Sequence, residues 1–167
     1  MSFTLLGLLI TGCGFHPHGM NGDSGASLTV ELNTTDPYGS LAREVRRELR
    51  GHSITITNNP LQQVDAILSF DDKGFSTAVT AAYTYGTLAG KSAEQVINKN
   101  VSVNFSADGF QGESVVVHES ITFISMGSNG LTTSAARDVY DVEIDKKIAQ
   151  KVVSLLFKYI KSKNQSR

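Results

Sequence analysis

The chain has a single cysteine, Cys13, no tryptophan, and no apolar stretch long enough to cross a bilayer as a helix. One thiol cannot close an internal disulfide, so the fold is not stapled and the use of Cys13 must lie in chemistry done to it. Lack of Trp removes one common interface anchor, although five Tyr and eight Phe remain. An excess of one charge is missing too: 15 Lys and Arg stand against 16 Asp and Glu, net -1. That balance offers no global attraction to nucleic acid, whose phosphates need a clustered basic surface. What is there is ordinary globular composition, 40% hydrophobic and 19% charged in 167 residues, with room for one domain and a sizeable core.

The first residues are more specific. Phe3 to Ile10 is an apolar run of signal-peptide length, and the small residues Thr11 and Gly12 follow it directly. The order small, Gly, Cys resembles the lipobox of bacterial lipoproteins, in which the Cys thiol receives diacylglycerol, the peptide is cut before it, and the new N-terminus is acylated. Residues 1–12 then read as a signal peptide and Cys13 as the first residue of the mature chain, with palmitate among its acyl groups. Each buried CH₂ of such a lipid contributes about 0.8 kcal/mol, and more than one chain makes the anchoring stable. Gly14 rather than Asp after the Cys implies sorting to the outer membrane. The other reading makes Cys13 a small buried hydrophobe on a core strand. Residues 13–27, rich in Gly and Ser and without hydrophobic period, read as a lipidated tether.

From Leu28 the pattern becomes that of a folded domain, expected over 28–163 with a short tail at 164–167. Leu28, Val30 and Leu32 alternate with polar residues as on a half-buried strand. A helix over Tyr38 to Arg50 is expected next, with Asp36 as its cap, Pro37 at the first position and Gly51 as its stop. It collects Leu41, Ala42, Val45 and Leu49 on one side and Arg43, Arg46, Arg47 and Arg50 on the other, partly balanced by Glu44 and Glu48. The arginines are either a solvated face or a contact for an acidic partner surface or phosphate. Strands are expected around Ile54 and Ile56, in VDAILSF, in STAVTAAYTY, in QVINKNVSVNFSA and in ESVVVHESITFI, with turns at Asp71-Asp72 and Asp108-Gly109. From about Thr133, Val139, Val142, Ile148, Val152, Leu156 and Tyr159 have the spacing of a long amphipathic helix with a basic end. The order implies an α+β class: a mostly antiparallel, four- to six-stranded sheet with two helices on one face, an α/β sandwich.

No catalytic constellation emerges. GDSG at residues 22–25 matches the surroundings of a protease serine, but it lies in the tether, with no upstream His and Asp on a barrel fold to serve Ser24. His16 and His18 make at most a weak metal pair, and His52 and His118 fall on separate expected strands. No glycine loop of the P-loop or Rossmann kind is present. These residues nominate no catalytic set and no firm metal site, which leaves an exported hydrolase with an unrecognised site as one reading.

Two segments carry a further likeness. Cys13-Gly14-Phe15-His16 with Gly19, and Asp36-Pro37-Tyr38-Gly39-Ser40-Leu41 followed by Arg43, Val45, Arg46, Leu49 and Arg50, resemble the opening and the Asp-Pro-x-Gly-x-Leu helix entry of the LPS-assembly lipoprotein family, LptE. Strands and a long final helix follow in that family's order, while Pro17 and His18 replace its usual Leu-Arg and residues 60–126 match it only as pattern. The resemblance implies a non-enzymatic outer-membrane lipoprotein, with no metal and no cofactor beyond the covalent lipid on Cys13, that sits in the lumen of the LptD β-barrel, helps it assemble, and contacts lipopolysaccharide. It implies tentative lipopolysaccharide contacts at Lys91, in an expected inter-strand loop, and at Arg137, where the last helix is expected to begin. Arg43, Arg46, Arg47 and Arg50 become tentative barrel contacts. The partners are thus a barrel, lipopolysaccharide and the membrane through the anchor, with no nucleic acid. The alternative is an envelope lipoprotein acting as a scaffold or binding module for another partner.

Overall fold

Alternation builds the first strand, β1 (Thr29–Thr34), which buries Val30 and Leu32 and leaves Asn33 exposed. The computed structural model describes residues 28–59, 61–84, 91–107, 110–126 and 130–165, without the side chains of 81–84, 91–93, 110–111, 125–126 and 130–137. Helix α1 (Ser40–Gly51) returns the chain so that β2 (Thr55–Thr57) lies parallel to β1, with Val30 beside Ile56. Three long strands follow, β3 (Ala66–Thr84), β4 (Lys91–Ala107) and β5 (Phe110–Met126), and then helix α2 (Gly130–Gln165). The sheet order is β2-β1-β3-β4-β5. The α+β class holds, with antiparallel β3-β4 and β4-β5 pairs, but β1 pairs in parallel with both β2 and β3. The helix between β1 and β2 is what permits the first parallel pair, since a tight hairpin cannot connect parallel strands.

Both helices cover one face of the sheet. Leu41, Val45 and Leu49 of α1 and Ile144, Ile148, Val152 and Leu156 of α2 share a core with Leu68, Phe70, Val101, Val103 and Phe105 of the strands. Tyr159 stacks on Phe105 at 5.8 Å and Tyr140 on Phe123 at 4.8 Å, so α2 follows the sheet along much of its length. Lys151 ties it to the edge strand as well, pairing with Glu119 and donating to the His118 carbonyl at 3.3 Å.

Several boundaries differ from the sequence expectation for physical reasons. Asp36 does not cap α1. Its Oδ1 accepts from the Tyr38 amide at 3.2 Å, closing a turn before the helix, and Gly39 takes the capping position. A Cβ at residue 39 would stand 2.5 Å from the Asp36 carboxylate, so any other residue there would have to push that side chain aside. Gly51 is still helical, His52 caps the end instead of lying on a strand, and Ser53 takes the left-handed conformation at φ 60°. Asp71-Asp72 is not a turn either: β3 runs straight through it with a bulge between Asp72 and Phe75. Gly74 adopts φ 77° there, and the extra residue moves the inward side chains from even to odd positions. Helix α2 starts three residues before the expected Thr133 and includes Asn164 and Gln165, and its Val139 and Val142 are exposed while Tyr140 packs inward. The Asp108-Gly109 turn lies outside the described residues.

The bulge serves a charged contact that sequence periodicity passes over. Lys99 has the inward parity of Ile97 and Val101 and is only 5% exposed. Its Nζ donates to Asp145 Oδ1 of α2 at 2.6 Å and to Asp72 Oδ2 of β3 at 2.8 Å. The other oxygen of Asp72, Oδ1, accepts from the Gly74 amide at 2.9 Å, so one carboxylate holds both the bulge and the lysine. Burial pushes the Lys99 pKa down, but the hydrogen bonds and charges of Asp145 and Asp72 outweigh it, and the net position is above the ordinary 10.5.

A raised lysine pKa contributes stability in full below the unfolded value and loses it as pH climbs through the folded one. Lys99→Met leaves Asp145 buried without its cation and should cost about 3–5 kcal/mol at pH 8 in denaturant unfolding, with Lys99→Met plus Asp145→Leu recovering most of the loss. The gap between wild type and the single variant should narrow above pH 10.5. An equal gap at pH 8 and 11.5 would contradict this account.

Candidate functional site

The uncovered face of the sheet is mostly polar, with Val116 and Ile124 as exposed apolar exceptions. Along β4 it presents Asn98, Asn100, Ser102 and Asn104, opposite Ser120, His118, Val116 and Ser114 of β5. On the β3 side Ser69 faces Asn104 and Asp71 faces Ser102. His118 Nδ1 lies 2.8 Å from Asn100 Oδ1, and the Asp71 carboxylate accepts from the Thr35 hydroxyl at 3.1 Å, so the amides and hydroxyls of this face are partly engaged with one another. Strand alternation produces the arrangement: the same β4 residues that seat Val101 and Val103 in the core must aim their neighbours the other way. Such a face hydrogen-bonds readily and carries little charge.

The second feature is the outer stripe of α1. Arg43, Arg46, Arg47 and Arg50 recur at helical spacing and line one shallow cleft of about 290 Å³. They are not equivalent. Arg47 Nη1 pairs at 2.7 Å with Glu44 Oε2, and Glu44 is only 6% exposed, so this arginine neutralises a carboxylate turned toward the core. Arg46 donates to the Pro37 carbonyl, fastening the turn before the helix. Arg43 and Arg50 are exposed and have no acidic partner among the described residues. Guanidinium groups in this array suit carboxylate or phosphate oxygens.

Lys91 and Arg137 come from distant parts of the chain to the same end of the molecule. Lys91 is the first residue of β4, paired with Thr84, rather than a loop residue. Arg137 lies eight residues into α2 rather than at its start. That end is remote from Leu28, because β4 spans 17 residues, about 57 Å of extended chain. Their side chains are outside the described set, as is all of 1–27, including Cys13, Ser24, His16 and His18. Among the described residues no group of three His, Cys, Asp or Glu is placed to hold a metal ion. No described helix is long and apolar enough to cross a membrane.

With this geometry in hand, comparison with known proteins is informative. No family model matches the chain. An LPS-assembly lipoprotein LptE from Pectobacterium atrosepticum is 30% identical over 164 residues, covering 92% of this chain and 84% of the relative. The chain belongs to the LptE family. A second LptE, from Photorhabdus laumondii, is 32% identical over 101 residues, a match spanning 59% of this chain and 53% of that relative. The fold agrees: rare lipoprotein B from Shewanella oneidensis superposes with a TM-score of 0.64 at 16% identity, covering 83% of this chain and 99% of that one. A minor lipoprotein from Acinetobacter baumannii gives 0.55 at 8% identity, covering 78% and 91%. Family membership makes the chain an envelope-associated LPS-assembly lipoprotein and not an enzyme.

Sequence reasoning grouped the α1 arginines correctly on one side but had no signal to separate them, because Glu44 is read from periodicity as part of a solvated face. Arg47→Ala should therefore cost about 1 kcal/mol by leaving a buried carboxylate unpaired, while Arg43→Ala stays within about 0.5 kcal/mol of wild type. Denaturant midpoints at low salt check the difference, and equal values would remove Arg47 from its structural role.

Proposed function

We propose that this chain is an outer-membrane lipoprotein, acylated at Cys13 after removal of residues 1–12, that assembles inside an LptD-like β-barrel and aids delivery of lipopolysaccharide to the cell surface. The observation that carries the reading is the pairing of LptE membership with an open sheet face of Ser, Asn and His residues. The lumen of a wide barrel is polar, so a plug needs a surface that hydrogen-bonds broadly without burying unpaired charge. Helices on the opposite face leave the strands free for such contact, and Arg43 and Arg50 supply exposed cations for acidic groups on a barrel wall. Residues 13–27 act as the tether, and the domain from Leu28 onward as the plug.

The distal end suits lipopolysaccharide. Lys91 at the start of β4 and Arg137 in the first turns of α2 share that end, where phosphates of a glycolipid head group can approach without displacing core. No enzymatic step and no cofactor is needed for this role; the chain supplies shape, hydrogen bonds and positive charge.

Two experiments test it. Pull-down of the tagged, full-length protein from detergent-solubilised outer membrane should recover a large β-barrel, and Arg43→Glu with Arg50→Glu should lower that recovery several-fold at low salt without changing circular dichroism. Recovery of a different partner, or of none, would favour a scaffold role elsewhere in the envelope. Lys91→Asp with Arg137→Asp should reduce lipopolysaccharide binding by the purified protein while barrel recovery stays intact. Undiminished binding by that folded variant would take both residues out of the contact.

A further inference from the structure

The chain enters the domain at the end where both helices finish. The Leu28 carbonyl accepts from the Thr55 amide at 2.8 Å, just after the end of α1, and His52 at the α1 cap meets the Phe157 ring of α2 at 5.2 Å. On the other side Leu28 borders a cleft shared with Asp65, Ile160 and Lys163. Thr29 and Asp65 exchange hydrogen bonds of 2.7 and 2.8 Å, and Lys163 donates to the Asp65 carbonyl at 3.3 Å, which fixes the last turns of α2 beside the start of β1.

Two cations higher on α2 are paired, while Lys146 is exposed there. Lys147 pairs with Glu143 at 3.0 Å, and Lys151 pairs with Glu119. Beyond Asp145 the chain has no further acid, and Lys158 and Lys161 are exposed with no acidic partner among the described residues. Arg50, at the end of α1, adds a third exposed cation. Three acids lie near: Glu48 is beside the His52 ring at 3.5 Å, Asp65 takes the Thr29 amide, and Glu113 sits toward Tyr159. Glu48 and Asp65 are engaged with their own neighbours and Glu113 is exposed on the β5 side, whereas Lys158 and Lys161 point away from the core on the outer side of α2.

We propose that this end of the domain, with Lys158 and Lys161 as its contacts, docks on the surface of an anionic phospholipid bilayer. The inference rests on the reading of Cys13 as the lipid anchor and adds to it the surface that meets the leaflet. Fourteen residues separate Cys13 from Leu28; a flexible chain of that length spans about 19–22 Å on average. An anchor in the leaflet therefore keeps Leu28, and the basic end around it, close to the head groups. Charge attraction fades over about 8 Å at physiological salt, so the tether supplies the proximity that the lysines need to act. A lipid chain combined with a basic patch is a two-signal membrane attachment. It also orients the domain: with this end on the leaflet, the far end bearing Lys91 and Arg137 points away from it.

The test uses the full-length protein purified from membranes and mixed with vesicles of phosphatidylcholine alone or with one-third phosphatidylglycerol. Flotation is scored, and lysines are acylated with a water-soluble ester and read by mass spectrometry. Labelling of Lys158 and Lys161 should fall at least threefold on the anionic vesicles and recover in high salt, while Lys146, exposed higher on α2, and Lys73 stay unchanged. Flotation with both vesicle types and equal labelling would leave the anchor standing and overturn the docking surface. Flotation with anionic vesicles only, lost in Lys158→Glu with Lys161→Glu, would uphold the surface and overturn the anchor. Flotation with neither would overturn both. Protection seen only in the co-purified barrel complex, and not on vesicles, would assign this end to a protein partner and overturn the lipid reading.

Discussion

A buried lysine between two carboxylates holds the parts of this fold in register. Lys99 projects from the middle of β4 into the helix-covered layer, where desolvation of its ammonium can be offset only by partners of opposite charge. One partner comes from α2 and one from β3, so the contact fixes the long helix against the sheet at a point that apolar packing alone would leave free to slide. Asp72 adds a second constraint by accepting from the Gly74 amide within the bulge. The bulge in turn resets which β3 side chains face inward. Hydrophobic residues of similar volume would pack there at comparable or greater stability, so we read the triad as a device for position rather than for strength.

Around that point the molecule has two unlike faces and two unlike ends. The helical face carries guanidinium and ammonium groups; the strand face carries hydroxyls, amides and one imidazole. Family membership makes the chain an LPS-assembly lipoprotein rather than an enzyme. The long strands separate the end where the tether enters from the end that gathers Lys91 and Arg137.

Much of the fold was legible because short-range rules govern it. Period two marks Val30 and Leu32 and the β4 run from Ile97 to Phe105, and the α1 apolar stripe is plain. Lys99 was missed because a lone lysine in an alternating strand reads as a bulge toward solvent or as noise; its acceptors are 27 and 46 residues away and leave no local trace. The β3 turn was misread for the same reason. Asp-Asp followed by Gly is turn chemistry locally, and only pairing with β4 across the whole length makes it a bulge in one strand. Val139 and Val142 fit a helical period, yet the sheet lies on the side of Tyr140.

Sequence alone determined the class of the protein: a lipobox-like start, the Asp-Pro-Tyr-Gly-Ser-Leu helix entry and the element order are local patterns, and together they resemble the LptE family. Tertiary structure decided which cations are free. Arg47 and Arg43 are chemically the same residue on the same helix, and only the burial of Glu44 beneath one of them makes the first a structural ion pair and leaves the second exposed to a partner. Charge is set by residue type, but its availability depends on what the rest of the fold places within a few ångströms, and no spacing along the chain encodes that.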